Sequence, residues 1–161
     1  MKSAKDIKNW IIKTLVSENQ AIGIYEAEVY WEKYPQETFR AILRDEKDHF
    51  CMMEEYLKDN AWTYSTFNRI EICLYHYSGW VIGTILSFLP RKLCFDFHAV
   101  AEKKAASEYQ NIVEAITQIK ELEGRQQHHF KKLLQGMMNS ESLHSEIFKY
   151  HASSFMDDGC Y

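Results

Sequence analysis

The stretch Asp45-Glu46-Lys47-Asp48-His49 carries a glutamate and a histidine three positions apart. On an α-helix such residues share a face, so carboxylate and imidazole aim at the same point. A second pair, Glu141-Ser142-Leu143-His144, repeats the arrangement far along the chain. One Glu-x-x-His arises often by chance. Position is what gives these two meaning: both fall in apolar helical seams, where a charged residue needs a partner to be tolerated.

Working outward, the seam Phe39, Leu43, Glu46, His49/Phe50, Met53, Leu57 predicts a helix over Gln36–Asp59. Tyr34-Pro35 precedes it, and proline disfavours helical geometry in the residue before it. The helix upstream is expected over Ala4–Lys33, with seam residues Ile11, Leu15, Ile22, Tyr25 and Val29. The position missing from that seam is filled by Glu18. Glu26 and Glu28 are the conspicuous acidic pair on this helix, but they fall off its seam, so Glu18 is preferred. A loop over 60–66 follows the second helix, with Asn60, Thr63 and Ser65 as turn or cap formers.

A fourth helix is expected over Lys92–Leu122, with seam Phe95, His98, Glu102, Ala106, Tyr109, Val113 and Ile116, and Gly124 as its stop. A fifth, over Arg125–Ser153, has the seam Phe130, Leu134, Met137, Glu141, His144, Phe148, His151 and Phe155. The two ends of the chain therefore form a weak repeat, each a glutamate-bearing helix followed by a Glu-x-x-His helix. Between them lies Asn68–Leu89, whose stretch Tyr77–Leu89 carries no charge and is too short to span a bilayer. Gly79 and Gly83 suit close helix contact and favour a buried helix. The alternative is a surface helix that dips one face into a membrane through 77–90, with Arg91-Lys92 at the headgroup level.

Composition sets the frame for this pattern. With 161 residues, 46% of them hydrophobic and 14% aromatic, a sizeable core is expected and disorder over most of the chain is excluded. Six glycines, two prolines and little alternating polarity point to an all-α chain. The expected fold is a ferritin-like four-helix bundle with an additional apolar crossover helix, one domain over 1–155 and a short tail over 156–161. A net charge of −4 with both signs interspersed argues against nucleic acid as a partner. Cys51, Cys73, Cys94 and Cys160 show no metal-binding or disulfide-framework spacing. Reduced thiols are expected, Cys51 and Cys73 as core packing.

Glu18, Glu46, His49, Glu102, Glu141 and His144 together make the ligand set of a carboxylate-bridged di-iron site. Two irons about 3–4 Å apart need bridging and terminal carboxylates and one neutral imidazole each, leaving open positions for dioxygen. Competing residues are set aside for stated reasons. Glu108 lies one position off its seam. His98 and His151 are read as core histidines. His128-His129 point in different directions on a helix and lack a glutamate three positions earlier. Asp45 is either an acceptor for a ligand imidazole or a surface carboxylate.

From about Leu15 to Phe148 the chain resembles the demethoxyubiquinone hydroxylase family of quinone biosynthesis, a branch of the ferritin-like di-iron proteins. Ser17-Glu18-Asn19-Gln20-Ala21-Ile22-Gly23-Ile24-Tyr25 is similar to its first-helix segment, and Glu46-Lys47-Asp48-His49 to its first Glu-x-x-His. Gly79-Trp80-Val81-Ile82-Gly83 resembles the opening of its apolar segment. Val100-Ala101-Glu102 with Tyr109, and Asn139-Ser140-Glu141-Ser142-Leu143-His144, resemble its later elements. The chain departs from the family at Ser140, usually acidic, at Ser107-Glu108, usually a histidine pair, and at Gly23, usually basic. The resemblance implies a monooxygenase that hydroxylates a quinone-type ring with O2. It also implies two iron ions, an external reductant such as NADH or an electron-transfer partner, and Tyr109 as an electron or proton relay. The expected location is cytoplasmic, peripheral on the inner membrane or on the mitochondrial matrix side, and a homo-oligomer is compatible with it. Two other readings stay open: a ferritin- or rubrerythrin-like ferroxidase or peroxidase, and a non-catalytic bundle. The absence of any Cys-x-x-Cys counts against the rubrerythrin form.

Overall fold

The computed structural model describes residues 4–117 and 124–154, which hold five helices and no strand. The all-α expectation is met. The chain forms two compact units, Met1–Phe88 and Leu89–Tyr161.

The first unit contains α1 (Ala4–Tyr30), α2 (Gln36–Asp59) and α3 (Thr66–Phe88). α1 packs on both of the others, which explains why its buried surface is broader than one seam. Ile11, Leu15, Ile22 and Tyr25 are buried as expected, and Thr14, Val16, Ala27 and Glu28 join them. The helix stops three residues before the expected Lys33. Glu32 takes a positive φ of 52°, and the Lys33 amide donates back to the Glu28 carbonyl at 2.8 Å, closing the end as a Schellman turn. The Lys33 ammonium, itself buried, donates to the carbonyls of Leu86 and Ser87 (both 3.1 Å), so it caps the end of α3. α2 runs over the expected residues, but its buried face is turned slightly. Ile42 and Tyr56 are inside, Leu43 is half-buried and Cys51 is exposed, correcting its assignment to the core.

α3 begins at a reciprocal cap in which Ser65 Oγ accepts from the Asn68 amide (3.2 Å) and Asn68 Oδ1 from the Ser65 amide (3.0 Å). Its inner face is Ile72, Gly79, Gly83 and Leu86. A Cβ on Gly79 would stand 2.1 Å from the Gln20 carbonyl oxygen, and one on Gly83 2.2 Å from that of Ile24. The two backbones are therefore in direct contact, as the glycines suggested. Burial stops at that face. Ile70, Leu74, Tyr77, Val81, Ile85 and Phe88 form an outward stripe at helical spacing, each more than half exposed. Cys73 is exposed too. The expectation of a buried third helix is thus corrected: it is covered on one side by α1, and its opposite side is apolar and open. Among the described residues no helix is long and apolar enough to cross a membrane.

The second unit contains α4 (Arg91–Ile116) and α5 (Gly124–Ser154), packed on each other. Gly124, expected to stop the fourth helix, instead opens α5. The expected end of that helix at Leu122, Phe155 and the tail lie outside the described residues. Phe95, Ala106, Tyr109 and Ile116 of α4 are buried, as are Phe130, Leu134, Met137 and Phe148 of α5. Ser145 Oγ donates to the Ala99 carbonyl at 2.8 Å, which fixes the register of the pair.

The glycine contact predicts opposite outcomes at two positions. Gly79→Ala forces α1 and α3 apart and should cost about 1–3 kcal/mol. Gly136→Ala, whose Cβ meets nothing within 4 Å, should gain about 1 kcal/mol of helix propensity. Urea denaturation midpoints measure both, and a Gly79→Ala chain as stable as wild type contradicts the packing.

Candidate metal centre

In the first unit, Glu18 comes from α1 and Glu46 and His49 from α2, and all three are buried although each is ionisable. Each offers a ligand atom within 4.8 Å of the others. His49 Nδ1 lies 3.5 Å from Glu18 Oε2. In the second unit, Glu102 of α4 and Glu141 and His144 of α5 repeat the arrangement, again all buried. His144 Nδ1 lies 3.5 Å from Glu141 Oε2 and 3.8 Å from Glu102 Oε2.

The two 3.5 Å separations stand at the upper end of the spacing of donors around one ion, since ligands about 2.1 Å from a shared cation are roughly 3–3.5 Å apart, and the 3.8 Å separation is slightly wider. The donor chemistry agrees. Two carboxylates and a neutral imidazole carry two negative charges, the balance of one divalent cation. Without a cation, two buried carboxylates about 4 Å apart repel by on the order of 4 kcal/mol at an effective dielectric near 20. Carboxylate oxygens with one imidazole suit iron or manganese better than a soft thiolate-seeking metal. Each trio therefore fits a divalent ion.

The six residues expected as ligands are thus buried and clustered, three in each unit. The competitors go elsewhere. Glu26 is engaged by Lys47 Nζ at 2.8 Å and His76 Nε2 at 3.3 Å, and Glu108 is exposed beside Lys104. His128 and His129 are exposed. His98 is buried and stacked on Phe148 with ring centroids 4.6 Å apart, while half-buried His151 packs on Phe95 and burial lowers its pKa. Tyr109 is buried two helical turns beyond Glu102, on the same face of α4.

Three features escaped the sequence reading. Glu28, set aside as off-seam, is fully buried, because α1 has neighbours on two sides. Cys94 and His98, one turn apart, bring a sulfur and a ring nitrogen within 4.8 Å, a Cys-x-x-x-His spacing that was legible in the chain. His49 and His144 both turn Nδ1 toward the carboxylates, a ring orientation that spacing does not encode.

Residues 14–155 match the family described as ubiquinone biosynthesis protein COQ7. The chain belongs to that family. The COQ7 family is one of ferritin-like helical bundles, and membership supports a role in ubiquinone biosynthesis. Neither a curated protein nor a solved structure matches the chain. The COQ7 match covers both Glu/Glu/His trios and the whole of α3.

Filling the trios should stabilise the fold. At about a hundred times its dissociation constant, ferrous iron adds about 2.7 kcal/mol for each site filled, or roughly 5–10 °C in Tm per site for a chain of this size. Anaerobic melting curves test this with Glu46→Ala and His144→Ala, each of which should shrink the shift. An undiminished shift in both variants would place the iron elsewhere.

Proposed function

We propose that this chain is a di-iron, O2-dependent hydroxylase acting on a quinone-type ring of the demethoxyubiquinone kind. The observation that carries the reading is the pair of buried Glu/Glu/His trios in a member of the COQ7 family. Glu18, Glu46 and His49, with Glu102, Glu141 and His144, are the proposed ligands. Iron bound there would relay electrons from a reductant to dioxygen. Overall, a ring C–H, O2, two electrons and two protons give a ring C–OH and water. The electrons come from NADH or an electron-transfer partner.

The chain's own groups have separate tasks. The carboxylates offset the metal charge, and each imidazole donates a neutral nitrogen. The apolar seams around them exclude water, which protects a strong oxidant from side reactions. Tyr109, buried on the face that carries Glu102, is the candidate to pass an electron, or a proton from its phenolic oxygen.

The substrate reading extends to α3. A polyprenylated ring enters water only at high cost, so an enzyme acting on it gains from resting on the lipid surface. The open stripe from Ile70 to Phe88 suits that contact. Tyr30, Trp31, Trp80 and Phe88 form an aromatic cluster beside it, with ring centroids 5.0–6.1 Å apart, and such side chains favour the headgroup region. The proposed location is therefore the membrane surface.

Oxygen uptake by the iron-loaded, reduced protein should rise when a demethoxyquinone is added, and a hydroxylated product should appear. Glu46→Ala should lower this turnover at least a hundredfold. Equal uptake without any quinone points instead to an iron-oxidising or peroxide-consuming protein. For the lipid contact, wild type should sediment with phospholipid vesicles, whereas a Leu74→Glu, Val81→Glu double variant should stay in solution. Both positions are exposed, so the fold survives the change. Co-sedimentation of the double variant would remove α3 from the membrane contact.

A further inference from the structure

The two ring nitrogens of His144 have different surroundings. Nδ1 faces Glu141 and Glu102 at 3.5 and 3.8 Å. Nε2 faces the hydroxyl of half-buried Ser140, one turn earlier on α5, at 3.4 Å. A neutral imidazole carries its single proton on one nitrogen and its lone pair on the other. If Nδ1 is the metal ligand, the proton sits on Nε2, where Ser140 Oγ is placed to accept it.

We propose that Ser140 is a positioning residue for the metal centre: its hydroxyl accepts from His144 Nε2–H and keeps the Nδ1 lone pair aimed at the ion. This rests on the metal reading above and adds a residue outside the ligand set. Metal-bound histidines usually donate their second N–H to an oxygen acceptor, and loss of that acceptor typically costs 10–100-fold in metal affinity. Serine is a neutral acceptor and leaves the imidazole a weaker electron donor than a carboxylate would. A carboxylate here pulls on the Nε2 proton, makes the ring more basic and favours ferric over ferrous iron.

Three variants test this in the full chain, with anaerobic ferrous titration and iron reduction potential as readouts. Ser140→Ala should weaken ferrous binding about tenfold or more. Alanine is the better helix former, so a folding defect is not expected to mimic that loss. Ser140→Thr keeps the hydroxyl and should bind as wild type. Ser140→Asp should bind tightly but lower the reduction potential, a change that a packing role would not produce. Ser140→Ala binding iron like wild type, or Ser140→Asp leaving the potential unmoved, overturns the proposal. A wild-type chain that takes up no iron overturns the metal reading and this inference together.

Discussion

Charge taken out of water dominates this molecule. Four glutamates and two histidines sit in helical seams that are otherwise apolar, and nothing in hydrophobic packing favours them there. An isolated carboxylate in such surroundings costs several kcal/mol, and two close together cost more. Each unit carries the same answer, two carboxylates and an imidazole at the spacing of donors around one cation. The amphipathic pattern builds the helices, and the interruptions of that pattern build the site.

The first unit uses α1 twice. One part of its surface carries Glu18, and the adjoining positions receive α3. The Asn19 side chain donates to the Ile72 carbonyl at 2.9 Å, Gln20 Nε2 donates to Ser78 Oγ at 3.0 Å, and the Gln20 carbonyl lies against Gly79. A helix with an open apolar face is thereby held against the residues that follow Glu18. On the proposed reading, the surface that meets lipid and the helix that holds metal are joined by backbone contact within one unit. Glycine is required because any Cβ at 79 or 83 would collide with backbone, which cannot swing aside as a side chain can.

Much of this was legible in the chain. The 3–4 periodicity located four of the five helices, an uncharged apolar run located the third, and a glutamate in place of an apolar residue singled out Glu18 over the more visible Glu26 and Glu28. Proline at 35 marked the start of α2. What the sequence concealed depends on neighbours that a single helix cannot report. Periodicity assigns one buried face per helix, so it missed Glu28 on a helix covered from two sides. Cys51 and Cys73, read as core packing because their spacing suits neither metal nor disulfide, lie exposed. An uncharged helix reads the same whether protein or lipid covers it, so the open side of α3 emerged only from the packing. Ring orientation is a further case: Glu-x-x-His places an imidazole without saying which nitrogen it presents.

The central claim is that two buried trios hold two metal ions. Its most direct test is iron content per chain after anaerobic ferrous loading and removal of unbound metal. The account predicts two irons per chain in wild type, with loss in chains lacking Glu18 or Glu102. A wild-type chain that retains no iron, or full retention in both variants, would contradict it.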